Sequence, residues 1–268
     1  MVTQPKTLTT PALIGTIEEL AQSPRAQTLV RDQFTTNFFG PINIIKAVLP
    51  SFRECKNGHI ILVTGISTSI APHHYQHGNL LTHRKAGHLG TPGLGMYCAS
   101  QWAIEGYCDS LAYEIAPFNI KMSIVQSNIE ISVLTNKITS VPPMAPYLPH
   151  NNPAPLSRGL LGGLLDKLEV ANTGSGSPAG NLEDDAAILP SALLYSKEII
   201  STYPPLPPVF QASLITETVH ALLAIGGHEN PPARHIVGYE GVESVKEKLK
   251  TVSEELEDFV EVSLGVDL

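Results

Sequence analysis

Two kinds of hydrophobic pattern divide the chain. Unbroken apolar runs rich in β-branched residues mark strands: GHIILVT over 58–64, KMSIVQ over 121–126 and the short RHIV over 234–237. Such runs suit strands of a parallel sheet that is covered on both faces. Helical spacing marks much of the rest. Over 96–118 the positions Ala99, Ala103, Tyr107, Leu111 and Ile115 recur at four-residue steps, and Pro117 and Asn119 stop the pattern. Tyr97 and Gln101 are also four apart, so they stand one above the other near the start of that helix. Helices are predicted over 17–20, 26–39 and 30–50, with Ser23-Pro24 as a start signal. A short helix is predicted over 160–168, and a longer one over 212–225 that Gly226-Gly227 ends. Over 242–260 the residues Val245, Leu249, Val252, Leu256 and Phe259 share one helix face. Strands alternating with helices predict an α/β fold, a doubly wound parallel sheet.

Between these elements the pattern fails. Residues 1–15 are Thr/Pro-rich and predict irregular structure. NTGSGSPAGN over 172–181 is low-complexity and predicts a mobile loop. YPPLPPVF over 203–210 contains Pro204-x-x-Pro207; placed before a helix, it reads as a rigid connector.

Composition narrows the function classes. With 268 residues and 43% hydrophobic content, one α/β domain with its own core is the natural size. A formal net charge of −8 without a basic block argues against nucleic acid or an anionic membrane as partner. Three irregularly spaced cysteines, Cys55, Cys98 and Cys108, form neither a disulfide framework nor a zinc knuckle. They read as thiols of a reducing compartment, so a cytoplasmic location is expected. No run of about 18 uncharged apolar residues stands out as a transmembrane span. The first residues lack the apolar core of a signal peptide.

The helix over 96–118 carries the strongest motif. Tyr97-Cys98-Ala99-Ser100-Gln101-Trp102-Ala103-Ile104-Glu105-Gly106, followed by SLAYEIAPFNIK, resembles the active-site helix of the short-chain dehydrogenase/reductase family, in its hydroxysteroid-dehydrogenase-like and fungal branches. The helix over 30–50 is similar to the family's long central helix, with Asn37-Phe38-Phe39-Gly40 on its Asn-x-x-Gly signature. The C-terminal RHIVG and VKEKLK…EELEDF also resemble fungal members. The resemblance covers 14–67 and 87–268, with 130–210 as the region of the substrate-binding segment.

That resemblance implies oxidoreduction of a carbonyl/alcohol pair with NAD(P). Tyr97 would be the proton donor and acceptor, Ser67 the substrate-polarising hydroxyl with Ser69 as its alternative, and Asn37 a residue of the proton relay. Tyr97, Gln101, Ser127 and Asn128 would face the cofactor. A homo-oligomer through the helices over 30–50 and 97–117 is implied too.

Four departures accompany it. Gln101 stands where the family has Lys, and an amide cannot stabilise a tyrosinate as an ammonium does. Ser127-Asn128 replaces the family's Pro-Gly turn. The stretch 68–86 reads as an insert of different composition from its flanks. It carries His73, His74, His77 and His83, with His88 just beyond, but no Cys, Asp or Glu lies between Gly65 and Gly95 to complete a metal site, so none is assigned. Finally, the Gly-rich turn that closes on a pyrophosphate is not found, so the sheet is expected to be incomplete at its N-terminal, cofactor-binding half. Its remaining edge should then be open to association. Three readings follow: an NAD(P)-linked oxidoreductase, a non-catalytic binding or partner subunit on that scaffold, or a shortened and insert-bearing version of a longer member. The sequence does not fix the substrate or the choice between NAD and NADP.

Overall fold

The structure, a computed structural model, describes residues 10–66, 91–128, 130–148, 157–159, 161–162, 190–204 and 206–265. The insert over 68–86, Ser67 and Ser69, the loop over 172–181 and most of the helix predicted over 160–168 lie outside the described residues.

A parallel sheet sits at the centre. Its strands are β2 (Gly58–Gly65), β3 (Ile120–Ser127) and β6 (Arg234–Ile236), in the order β2-β3-β6. Strands β2 and β3 pair along their whole length, from Gly58 against Ile120 to Gly65 against Ser127. Period-2 alternation sends side chains to opposite faces. Ile60 and Leu62 of β2, with Ile120, Met122 and Ile124 of β3, pack under α3 (Gly40–Cys55) and α4 (Gly95–Ile115). Ile61 and Val125 point the other way, under α6 (Pro208–Gly226), whose Leu214, Ala221 and Ile225 close that face. Helices on both faces of a parallel sheet are what the apolar runs predict.

A second, small sheet joins β1 (Ala12–Ile14), β4 (Ile138–Ser140) and β5 (Ile200–Thr202) in the order β1-β4-β5. Strand β1 runs parallel to β4, and β5 antiparallel to it. Against β1 pack α1 (Ile17–Ala21), closed by a capping box of Thr16 and Glu19, and α2 (Pro24–Phe34), capped by Ser23 as the Ser-Pro signal predicts. Helix α5 (Pro190–Tyr195) packs Leu193 and Leu194 onto the small sheet. The chain ends in α7 (Tyr239–Asp258) and α8 (Val260–Leu264).

A fully buried ion pair ties this small sheet together. Arg158 Nη2 donates to Glu19 Oε2 at 2.9 Å and to the carbonyl of Val141 at 2.8 Å. Its Nη1 reaches Ser140 Oγ at 3.1 Å and the Leu194 carbonyl at 2.6 Å. One guanidinium therefore bonds to α1, to β4, to the residue after β4 and to α5.

Four expectations are corrected. Residues 12–14, expected to be irregular, form the buried strand β1. Strand β2 is half-buried over most of its length, not fully covered, because the sheet ends at it and no described strand flanks its outer edge. The buried face of α4 runs through Tyr97, Gln101, Ile104, Cys108, Leu111 and Ile115, while Ala99 is exposed and Ala103 and Tyr107 are half-buried. Strict four-residue steps drift around a helix of 3.6 residues per turn, so the true face mixes steps of three and four. The helix predicted across Asn37 is interrupted there by a π turn, Thr35–Phe39. Among the described residues α6 alone is long and apolar enough to cross a membrane. It rests on the sheet by one face, through Leu214, Ala221 and Ile225, and leaves Val209, Ile215, Val219 and Leu223 exposed.

Candidate active site

The candidate residues gather at the carboxyl end of β2, where open α/β sheets place their ligands. Helix α4 begins one turn after Thr91, with Gly93 at φ +81° in the turn before it. Tyr97 falls in its first turn and Gln101 one turn later, both 1% exposed. Both side chains therefore point at the last residue of β2.

Gly65 is the meeting point. A Cβ there would lie 2.5 Å from Tyr97 Oη and 2.8 Å from both Cβ and Oγ of Ser132. Only a residue without a side chain lets the phenol and the serine approach the strand this closely. The Gly65 N–H donates to Gln101 Oε1 at 2.9 Å. Gln101 thus clamps the end of β2 to α4, and its Nε2 is left buried without a partner.

Burial pushes the Tyr97 phenol up to about 12, and the nearby hydroxyls of Ser132 and Thr10 pull it back only in part. Glu105 and Cys98 add to the rise. The phenol is therefore protonated throughout the neutral range.

One turn beyond Gln101, Glu105 accepts from Thr64 Oγ1 at 2.7 Å and from Gln126 Nε2 at 2.9 Å. This carboxylate bolts α4 to both β2 and β3. Sequence reasoning missed Glu105, Thr64, Gln126 and Ser132. Their partners are far away in the chain, and no local pattern marks them.

Asn37 sits in the π turn, an element found often at functional positions. Its Nδ2 donates to the Pro11 carbonyl at 3.2 Å and to Ser100 Oγ at 3.3 Å, while Oδ1 is buried without a partner. Ser100 Oγ in turn donates to the Tyr97 carbonyl at 2.7 Å. Asn37 thereby joins the first residues of the fold to the turn of α4 that carries Tyr97. Ser127 Oγ donates to the Thr64 carbonyl at 3.0 Å. Asn128 Oδ1 accepts the Ile131 N–H at 2.8 Å, capping a second π turn, Glu130–Leu134, that holds Ser132.

These contacts bear directly on a nicotinamide riboside. Such a ligand needs donors and acceptors that face an open space. Here Tyr97, Gln101, Ser127 and Asn128 are all buried, and Gln101 Oε1, Ser127 Oγ and Asn128 Oδ1 are turned to the protein's own backbone. Gly65 and Ser132 fill the space before the phenol. In this arrangement the residues do not fit the cofactor. Among the described residues no group of three His, Cys, Asp or Glu side chains is placed to hold a metal ion.

No family model matches the chain. It is 39% identical over 94 residues to a 3-ketodihydrosphingosine reductase of Bacteroides thetaiotaomicron, covering 35% of this chain and 28% of that protein. It is 28% identical over 138 residues to the retinol dehydrogenase 8 of Homo sapiens, covering 50% of this chain and 36% of that protein. The chain thus spans about a third or less of the length of these curated relatives. Among solved structures, a short-chain dehydrogenase from Streptomyces avermitilis superposes with a TM-score of 0.51 at 19% identity, over 96% of this chain and 69% of that one. That likeness shows the fold, a Rossmann-like α/β sheet. Over these stretches the chain is similar to oxidoreductases of the short-chain dehydrogenase/reductase family.

Proposed function

We propose that this protein is a short-chain dehydrogenase/reductase-like oxidoreductase by descent, built for a carbonyl/alcohol pair and NAD(P), in which the site is closed to that reaction. The observation that carries the reading is the bond from the Gly65 N–H to Gln101 Oε1. It spends on the backbone the side chain that, by family resemblance, would hold the cofactor ribose. The protein would then act as a binding or partner subunit on an enzyme scaffold.

The test is titration with NADH and with NADPH, read by fluorescence of the single tryptophan, Trp102, and by cofactor oxidation with a panel of small carbonyl compounds. No saturable quenching and no oxidation are expected. Cofactor oxidation that Tyr97→Phe abolishes would overturn the closed-site reading.

A second reading, an active carbonyl reductase, is favoured by the Tyr97 phenol itself. Held up to about 12, it keeps its proton at neutral pH and suits donation to a carbonyl oxygen. In that case Tyr97 is the proton donor, Ser67 or Ser69 polarises the carbonyl, and Asn37 belongs to the relay. Reduction would be flat across neutral pH. Oxidation of the alcohol, which needs the tyrosinate, would rise about tenfold per pH unit toward pH 12.

A homo-oligomer through residues 30–50 and 97–117 is part of the proposal. It is supported by Phe39, Ile44, Trp102 and Tyr113, large apolar side chains exposed on or beside those helices. A cytoplasmic location is proposed on three unpaired cysteines.

A further inference from the structure

The last long helix carries an apolar seam that the fold covers only in part. Along α7 the residues Val242, Val245, Leu249, Val252 and Leu256, then Phe259 just past its end, alternate in steps of three and four. That is the spacing of a coiled-coil seam, the first and fourth positions of successive heptads. Val242, Val245 and Val252 are half-buried, while the leucines of the seam stand out to solvent. Leu249 is 65% exposed, Leu256 64% and Phe259 62%.

We propose that this seam pairs with a second copy of the chain, the two α7 helices lying antiparallel. Three observations select that occupant. First, the seam places leucine at the first heptad position, Leu249 and Leu256, and valine at the fourth, Val245 and Val252. Parallel dimers favour the reverse order, β-branched at the first position and leucine at the fourth. An antiparallel pair instead sets first positions against fourth ones. Leu249 then faces the other copy's Val252 and Leu256 its Val245, a large residue against a smaller one in each layer.

Second, the flanking charges match only that orientation. Lys246 pairs with Glu243 and Lys250 with Glu254 inside the helix. Lys248 and Glu255, which flank the seam on one side, make no ion pair with any described residue. In the antiparallel arrangement Lys248 of each copy comes beside Glu255 of the other, twice by symmetry. In a parallel one Lys248 would meet Ser253, which offers no charge. Third, α7 has seven acidic residues against three lysines, so its polar face opposes an anionic lipid surface, the other common cover of an apolar helix stripe.

The test uses the whole chain with the exposed Cys55 replaced by serine. Under mild oxidation, Leu256→Cys chains mixed with Val245→Cys chains should cross-link to each other. Leu256→Cys chains alone should not, because in the antiparallel register the two positions lie about 16 Å apart along the axis. Sedimentation velocity supplies the second readout. Lys248→Glu should weaken the association about tenfold, and Lys248→Glu with Glu255→Lys should restore it. Self-linking of Leu256→Cys alone, an association indifferent to these charge changes, the absence of any cross-link, or α7-dependent binding to anionic vesicles without self-association would each overturn the proposal.

Discussion

Replacing Gln101 with lysine restores the family's motif letter for letter, and the geometry says it should damage the protein. The parent amide is 1% exposed and accepts the Gly65 N–H at 2.9 Å. Lysine has no acceptor, so that N–H is left unsatisfied in the interior, at a cost of about 1–3 kcal/mol. The ammonium must also leave water. The cost of doing so is capped, because the group can shed its proton instead; at pH 7 that takes about 5 kcal/mol, set by an ordinary lysine value of about 10.4. Glu105, one turn along α4, offers a counter-charge and offsets part of this, at the expense of its bonds to Thr64 and Gln126. The expected net loss is about 2–5 kcal/mol, a large share of the 5–15 kcal/mol typical of a domain. Urea unfolding followed by circular dichroism reads it as a lower midpoint at unchanged slope. The pH dependence gives a second signature. The folded lysine would be held below its unfolded value, so the unfolded state binds more protons between the two, and stability rises with pH in that window. Gln101→Lys should therefore recover toward the parent between about pH 7 and pH 10. A variant within about 0.5 kcal/mol of the parent at pH 7, or a deficit that ignores pH, would refute the clamp.

Three more outcomes follow from the same contacts. Gly65→Ala forces a methyl to within 2.5 Å of Tyr97 Oη and 2.8 Å of Ser132 Oγ, and should cost about 1–3 kcal/mol in urea unfolding; Gly65→Ala with Ser132→Gly should recover part of it. Burial holds the Tyr97 phenol at about 12 against 10.0 unfolded, so its contribution is complete below pH 10 and is lost as pH rises toward 12, about 3 kcal/mol in all; Tyr97→Phe should flatten that part of the alkaline stability profile, leaving the part due to Cys108, which burial raises in the same range. Glu19→Gln should destabilise by about 3–5 kcal/mol, because it strands the buried Arg158 guanidinium, and Glu19→Leu with Arg158→Met should recover much of the loss.

The parts of the fold that the sequence disclosed are those whose cause is local. Strands β2 and β3 are visible because every second side chain enters the same core, and their ends fall within one residue of the apolar runs. Helix α4 is visible for a similar reason, though its face was read some way around the cylinder from the true one. What local pattern does not encode stayed hidden. Strands β1, β4 and β5 are three residues each, too short for any period, and β4 is anchored by Arg158, whose partner Glu19 lies far away in sequence. The π turn at Asn37 has no compositional mark. Ser132 reaches Tyr97 only because Asn128 caps the turn that carries it.

Gln101 shows where the line between the two falls. One letter is enough to see that the ammonium is gone, and simple electrostatics says that the phenol above it loses its stabilising charge. The letter does not say what the amide does instead. That depends on Gly65, 36 residues earlier, presenting an N–H at the end of an edge strand. The exchange of a donor for an acceptor therefore has two effects on one site. It leaves Tyr97 protonated in a buried setting, and it draws β2 onto α4 so that Gly65 and Ser132 occupy the space before the phenol. Lysine removes this acceptor, but Gly65 and Ser132 stay packed before the phenol because Ser127 still holds the Thr64 carbonyl and Asn128 still caps the turn of Ser132. On these grounds Gln101→Lys should yield a less stable protein and still no turnover with NAD(P)H. Recovered turnover in that single variant would show that charge, and not closure, is what this chain gave up.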